Sequence, residues 1–313
     1  MSEEASTPDI LPRTSTWDFL NVGLIQTNLD HKSAWQNGPP MAPLEQSLAW
    51  EEIQRCLRSF RSFEPRPHLV LIPELSVPRG RMEDLRRAAG VLGALIIAGI
   101  DYRLDYQERK AYNEAAVFIP SGWRHNSRGG RVAQMFVGKT YAAKEESKAL
   151  KKTEWNFVEE PNFWVFEGAD AGRLGVSIRY DFLDVERALM YKQQIQHLIV
   201  IAYNRDGDSF LHIAEGLART VYCNVVVCNT GFHGGSLGIT PYYEPWERTV
   251  YRHNGNQMLA SQVIKIPVRS LIEAQMGNDT VKKFKSLPPG WSGISSDTIN
   301  LLKKLKLRQK KLD

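Results

Sequence analysis

The chain has 313 residues, of which 42% are hydrophobic and 24% charged, and its formal net charge is +5 at pH 7. These proportions are those of an ordinary soluble globular protein and exclude an intrinsically disordered chain. The length permits a large buried core, and because no segment has the composition of a long linker, we expect one domain of unusual size.

The sequence predicts a cytoplasmic protein without a membrane-spanning segment. No apolar run approaches the ~18 residues that a spanning helix needs, and the N-terminus lacks the basic start and apolar centre of a signal peptide. The three cysteines, Cys56, Cys223 and Cys228, are too few and too irregularly spaced for a disulfide framework. The predicted organisation is a polar leader (1–17), a main domain (18–270) and a C-terminal extension (271–313).

The first half of the chain alternates strand-like apolar runs with segments of helical spacing. The predicted strands are Phe19–Gln26, His68–Pro73, Ala94–Gly99, Asn113–Pro120 and Arg131–Val137. Helices are predicted over 44–60 and Arg81–Leu92, and a charged loop over Lys144–Lys152.

The second half continues the alternation and adds short strands near its end. The predicted strands are Asn162–Phe166, Leu174–Ile178, His197–Ala202, Asn224–Cys228, Ser236–Thr240, Thr249–His253 and Gln262–Pro267. After Ile178, a polar turn leads into helical spacing through Tyr191, and a further helix is predicted over Phe210–Tyr222. The pattern favours an α/β fold, with either one mixed sheet or two sheets packed face to face under outer helices.

Three charged side chains follow buried strands directly: Glu74, Lys139 and Arg179. Taken singly, a charge at the end of an apolar run most often begins a solvated loop. Taken together, an acid, an amine and a third group from three strand ends match the way in which α/β folds assemble active sites. We therefore expect a site at this edge of the sheet.

The sequence resembles the nitrilase, or carbon-nitrogen hydrolase, superfamily over roughly Asn21 to Val268. The resemblance is carried by Pro73-Glu74, Lys139, Gly175-Val176-Ser177-Ile178 leading to Tyr180-Asp181, Glu186, Ala218-Arg219 and Cys228-Asn229. It implies a four-layer αββα sandwich that hydrolyses amides or nitriles with a glutamate, a lysine and a cysteine. No cofactor belongs to this chemistry.

The resemblance assigns the role of general base to Glu74 and oxyanion stabilisation to Lys139. Tyr180 and Asp181 would line the pocket. Many members of the family have a second glutamate after the lysine, and Glu146 is the candidate here. The alternative interpretation is that Glu145 and Glu146 belong to a plain charged loop.

Arg179 occupies the position at which the resemblance places the nucleophilic cysteine. A guanidinium stays protonated and offers no lone pair, so it cannot form a thioester. We therefore predict a catalytically inactive protein that acts as a binding, structural or regulatory subunit. The alternative is an amide or nitrile hydrolase with a displaced nucleophile or with a water activated by Glu74. Ser177 would lie deeper on the same strand face, and Cys223 and Cys228 are expected in the core.

Two arrangements of Arg179 remain open at this stage. It could pair bidentately with Glu74 and fill the former pocket, which is the arrangement that we favour. Alternatively, Arg179 and Lys139 together could leave the pocket net positive, which would suit a carboxylate or phosphate ligand.

The resemblance further implies homodimers built by helix packing near residue 179, with larger assemblies or another protein partner as extensions. The tail Leu301–Asp313 holds six Lys or Arg residues and one acid. We favour a solvated helical end, and the alternative is contact with nucleic acid or an acidic partner. His212 and Glu215 share a helix without further ligands nearby in sequence, so no metal site is predicted.

Overall fold

Two β-sheets packed face to face form the centre of the molecule. The computed structural model describes residues 17–123, 130–278, 282–291 and 307–311. The strands are β1 (Phe19–Gln26), β2 (Leu69–Val77), β3 (Leu95–Asp105), β4 (Lys110–Pro120), β5 (Val132–Gly138), β6 (Asn156–Phe157), β7 (Phe163–Glu167), β8 (Arg173–Ile178), β9 (His197–Ala202), β10 (Asn224–Asn229), β11 (Ser236–Ile239), β12 (Thr249–His253), β13 (Ala260–Pro267) and β14 (Leu307–Lys311). The helices are α1 (His31–Ala34), α2 (Pro43–Phe60), α3 (Met82–Leu92), α4 (Lys144–Lys152), α5 (Val185–Tyr191), α6 (Gly207–Thr220), α7 (Pro245–Arg248) and α8 (Arg269–Gln275).

Each sheet mixes parallel and antiparallel pairs. The first sheet has the order β13-β1-β2-β3-β4-β5, with β6 beside β4, and the second has the order β12-β11-β10-β9-β8-β7-β14. Strands β1, β2 and β3 run parallel in the first sheet, as do β8, β9 and β10 in the second. The carboxyl ends of each parallel set therefore lie together, where open α/β folds collect functional groups.

The core divides into layers that follow from the burial of both faces of each sheet. Apolar side chains of the two sheets, such as Leu24 and Val226, pack against each other in the middle. Helices α2 and α3 cover the outer face of the first sheet, where Ile53 packs in the same cluster as Val70. Helices α5 and α6 cover the second sheet in the same way. The predicted fold class, a four-layer αββα sandwich, is confirmed.

The segment Lys144–Lys152 is helix α4, so the prediction of a charged loop there is wrong. Only two of its residues are buried, Glu146 and Leu150, and they lie one turn apart on the inner face. Acids in the first turn and lysines in the last complement the helix dipole. Seven of its nine residues are polar or charged, which is the composition of a solvated loop.

Strand β2 continues beyond Pro73 to Val77, so Glu74 lies inside the strand rather than past its end. Between Ile72 and Val77 the pairing with β3 shifts register, and Leu75 has a φ of 56°. Proline cannot donate to a β-ladder and is tolerated at such irregularities. The sequence predicts a strand that ends at Pro73 because proline normally interrupts pairing.

The tail does not end as a helix over its described residues. β14 pairs with β7 in parallel register, from Leu307 opposite Phe163 to Lys311 opposite Glu167. The free edge of β7 offers unpaired backbone groups, and an added strand satisfies them. The other residues of the tail, and residues 1–16 of the leader, lie outside the described residues. In the described part of the chain, no helix has the length and apolar character needed to cross a membrane.

Candidate functional site

A buried ion-pair triad lies at the carboxyl ends of the strands of the first sheet. Glu74 comes from β2, Lys139 directly follows β5, and Glu146 lies in the first turn of α4. Lys139 Nζ is 2.7 Å from Glu74 Oε1 and 2.5 Å from Glu146 Oε2. Because the side chains of Glu74 and Lys139 are 0% exposed and that of Glu146 is 3% exposed, water does not compensate their charges.

Neutral donors complete the coordination of the two carboxylates. Asn113 Nδ2 donates to Glu74 Oε1 at 2.8 Å and to Glu146 Oε1 at 2.7 Å, so one amide bridges both acids. The Tyr102 hydroxyl donates to Glu146 Oε1 at 3.1 Å, and the backbone N–H of Tyr203 donates to Glu74 Oε2 at 2.9 Å. Buried charges are tolerated when they are paired and hydrogen-bonded in this way.

The triad shifts the titration of its members. Burial alone would lower the pKa of Lys139, but the charges of Glu146 and Glu74 outweigh it, and the lysine pKa is raised. Burial would likewise raise the pKa of Glu146, yet Lys139 holds it below the usual glutamate value. The pKa of Tyr102 is raised by burial and by the Glu146 charge, so Tyr102 is a donor at neutral pH.

Close approach of two backbones fixes the position of Glu74. A Cβ atom on Gly99 of β3 would lie 2.3 Å from Glu74 Cα and 2.4 Å from the Pro73 carbonyl oxygen. Only glycine permits this contact. The irregular end of β2 therefore packs directly on β3, which aims the Glu74 carboxylate at Lys139.

A second buried ion pair joins the lysine turn to the turn after β8. Asp181 Oδ1 accepts the backbone N–H of Tyr141 at 2.9 Å, and Oδ2 accepts that of Thr140 at 3.0 Å. Arg187 of α5 lies 3.3 Å from Asp181 Oδ2 and donates to Thr140 Oγ1 at 2.8 Å. Burial raises the pKa of Asp181 against the opposing charge of Arg187.

Arg179 is the first residue after β8 and has a φ of 42°, a left-handed conformation that is unfavourable for arginine. The prediction that Arg179 pairs with Glu74 is wrong. Lys139, Asn113 and the Tyr203 N–H occupy the carboxylate of Glu74. Arg179 is half-buried and has no ion pair or hydrogen bond to any residue that the structure describes. Tyr180 beside it is 44% exposed and lies outside the triad.

The three thiols lie in the core. Cys56, Cys223 and Cys228 are free and buried, and burial raises the pKa of each. Cys228 Sγ contacts the carbonyl oxygens of Ile25 and Leu71, between the sheets. These environments suppress the thiolate that nucleophilic attack needs.

No group of three or more His, Cys, Asp or Glu side chains is arranged to hold a metal ion within the described ranges. His212 and Glu215 are exposed, with 4.0 Å between Nδ1 and Oε2.

Several residues of the site escaped the sequence analysis. Asn113 begins a predicted strand, but its bridging role depends on two acids that lie far away in the chain. Tyr203 contributes a backbone N–H, for which no side-chain signal exists. The sequence does contain a signal for the ion pair of Arg187 with Asp181, because the acid and the base lie six residues apart across a predicted turn and helix.

Comparison with known proteins supports the architecture. No protein-family model matches the chain, and no curated protein matches it at a significant level. Among solved structures, a double mutant of the amidase from Nesterenkonia sp. AN1, in complex with acrylamide, is similar with a TM-score of 0.58 and 15% identity. The match covers 82% of this chain and 94% of that chain.

Two further structures agree. A single mutant of the same amidase, which shows covalent addition of the acetamide moiety of fluoroacetamide at the active-site cysteine, gives a TM-score of 0.57 at 14% identity, over 81% of this chain and 92% of that one. Nit3 of Saccharomyces cerevisiae, a member of branch 10 of the nitrilase superfamily, gives 0.56 at 18%, over 85% and 96%. The chain thus has the αββα sandwich fold of nitrilase-superfamily amidases.

Proposed function

We propose that this chain is a nitrilase-superfamily protein that has lost covalent catalysis and acts as a binding, structural or regulatory subunit. The observation that carries the proposal is Arg179 as the first residue after β8, at the position that the sequence resemblance assigns to the nucleophile. A guanidinium cannot attack a carbonyl carbon, whereas a thiolate can.

The triad supports the proposal because its groups are almost fully committed to one another. Glu146 Oε1 accepts from Asn113 and Tyr102, while its Oε2 accepts from Lys139 and from the Ala143 N–H. Glu74 Oε1 accepts from Lys139 and Asn113. A network this complete stabilises a shape without needing a reactant.

Amide hydrolysis by an activated water is the second candidate. Glu74 Oε2 accepts one bond, from the Tyr203 N–H, and keeps a lone pair that could take a proton from water. In that mechanism Lys139 would stabilise the oxyanion that forms on the substrate. Replacing Glu74 by glutamine would abolish turnover, because a neutral amide cannot act as the base.

The deciding experiment compares the wild type with Arg179→Cys. Both proteins are assayed on a panel of small amides and nitriles and treated with fluoroacetamide, with covalent addition read by mass spectrometry. We expect an inert wild type and an acylated or alkylated variant. Arg58→Cys, which places a thiol on exposed α2, measures general thiol reactivity. Turnover by the wild type that disappears in Glu74→Gln would overturn the proposal in favour of the hydrolase.

We also propose that the protein is a homodimer. Val185, Leu189 and Leu183 are 80%, 48% and 40% exposed, and they lie together at the start of and along α5. Beside them, Ile213 and Leu217 of α6 line the same groove, whose volume is about 550 Å³. A second copy would cover this apolar surface in a two-fold contact, since isologous pairing buries the same patch twice. The proposed location is the cytoplasm, supported by three free, buried thiols.

A further inference from the structure

A cluster of two imidazoles, a phenol and a guanidinium lies beside the triad, at the carboxyl ends of the second sheet. His31 comes from α1, Tyr203 and Arg205 follow β9, and His233 follows β10. Arg205 Nη2 lies 2.9 Å from His31 Nε2. The Tyr203 ring is edge-on to both imidazoles, with centroid distances of 6.0 Å to His31 and 5.2 Å to His233.

Strand register brings Arg179 to the same place. Ile178 pairs with Ile201 in parallel β8 and β9, so the residues that follow them, Arg179 and Ala202-Tyr203, emerge side by side. The Tyr203 N–H also donates to Glu74, which joins the cluster to the triad. Arg179 therefore lies near both groups, and its charge acts on the pKa of Glu146 in the triad and on that of His233 in the cluster.

The two arginines of this cluster are not paired with acids in the described part of the chain. Among the residues that the structure describes, neither Arg179 nor Arg205 forms an ion pair with a carboxylate. The acid at the cluster, Asp30, lies 3.4 Å from His31 Nδ1. The triad has two carboxylates and one lysine, so together with Asp30 it balances the two arginines in net charge, but none of these carboxylates contacts either guanidinium.

Burial and the nearby guanidinium groups lower the pKa of both imidazoles. Burial, the Arg205 charge, His31 and the Arg179 charge together lower the pKa of His233 to about 4. Burial and Arg205 lower the pKa of His31 as well. His233 Nε2 is buried and has no hydrogen-bond partner among the described residues. A group that brings negative charge and an acceptor to this point would satisfy both features.

We propose that Arg179, Arg205 and His233 bind the oxyanion head group, carboxylate or phosphate, of a small organic anion, and that His31 holds Arg205 in place through Nε2. Guanidinium groups present paired N–H donors that match the oxygens of either head group, and such bonds are among the strongest polar contacts in proteins. His233 Nε2 would add a donor in the tautomer that carries its proton there. The inference rests on the proposed function, in which Arg179 takes no part in covalent catalysis and is available to bind a ligand.

Binding of simple oxyanions to the full-length protein tests the inference. Succinate and inorganic phosphate are titrated separately, by calorimetry and by following the histidine ring resonances in NMR. We expect saturable binding of at least one probe, with the His31 and His233 resonances shifting together. A preference for succinate or for phosphate identifies the head group.

Three variants locate the site. Arg205→Gln lies in an exposed segment and should fold normally, and Arg179→Gln removes the second charge. We expect each to weaken binding at least tenfold, whereas Arg58→Gln on α2 should leave it within twofold. Absence of binding of both probes at millimolar concentration, or equal affinity in all variants, would overturn the inference. Amide turnover by the wild type would overturn the proposed function instead, whatever the binding result.

Discussion

Replacing Lys139 by methionine removes the cation that lies between two buried carboxylates and keeps most of the side-chain volume. Glu74 and Glu146 would then face each other through Asn113 without a counter-charge. We expect the free energy of unfolding to fall by about 3–5 kcal/mol at neutral pH, the usual cost of breaking a buried ion pair.

The same loss of unfolding free energy can be derived from the titration of the two carboxyl groups. The variant can relieve the repulsion by keeping one carboxyl protonated. A glutamate titrates near pH 4.3 in an unfolded chain, and each pH unit corresponds to about 1.4 kcal/mol, so a protonated carboxyl costs about 4 kcal/mol at pH 7 and about 1 kcal/mol at pH 5.

The sign of the pH dependence follows from the direction of the pKa shifts. In the variant, the folded-state pKa of one carboxyl is raised, so its deficit is full above that pKa and vanishes as the pH falls below the unfolded value. In the wild type, burial raises the pKa of Glu146, but the charge and hydrogen bond of Lys139 outweigh burial, so the pKa lies below the usual glutamate value. That contribution is lost as the pH falls, so the two proteins converge in acid.

The assay is thermal or urea denaturation of both proteins at several pH values. A deficit of about 4 kcal/mol corresponds to about 6 °C in Tm for a chain of this size. Lys148→Met is the matched control, because Lys148 lies on α4, the helix that carries Glu146, and pairs with Glu145 at 3.1 Å in solvent. It should change stability by less than about 0.5 kcal/mol. A deficit in Lys139→Met that is below about 1 kcal/mol at neutral pH, or that does not change with pH, would refute the reasoning.

Three further perturbations test other parts of the molecule. Gly99→Ala places a methyl group against the backbone of Glu74 and should destabilise the protein by about 3 kcal/mol in denaturation experiments; a neutral effect would mean that the two strands can separate. Val185→Asp should convert a dimer into a monomer in light scattering, whereas Leu44→Asp, at a residue 69% exposed on α2, should not. Deleting Leu301–Asp313 should abolish salt-sensitive oligonucleotide binding if the tail contacts phosphates, and unchanged binding would exclude the tail.

The parts of the fold that the sequence predicts well are those with a strong local signal. The run Leu174–Ile178 is apolar and ends at charged residues, so strand β8 and the turn after it were predictable. Strand β5 and the position of Lys139 directly after it were predictable for the same reason. Helix α4 was missed because seven of its nine residues are polar or charged, so the segment resembles a solvated loop.

The contacts within the site were harder to predict because they depend on groups far apart in the chain. Arg179 and Glu74 have opposite charges and neighbouring strand ends, which made a pair between them the natural expectation. Instead, the Glu74 carboxylate accepts hydrogen bonds from Lys139, from Asn113 and from the backbone N–H of Tyr203. Sequence reveals which charges are present, but the choice among several donors is decided by distance and burial.

The contacts of Asp181 hold the turn after β8 in place independently of the side chain at position 179. Asp181 and Arg187 fasten the turn after β8 to the backbone of Thr140 and Tyr141. The side chain of residue 179 takes no part in that fastening. A substitution of the side chain at position 179 should therefore leave this scaffold in place. Position 179 is accordingly a place at which protein engineering can introduce a new functional group.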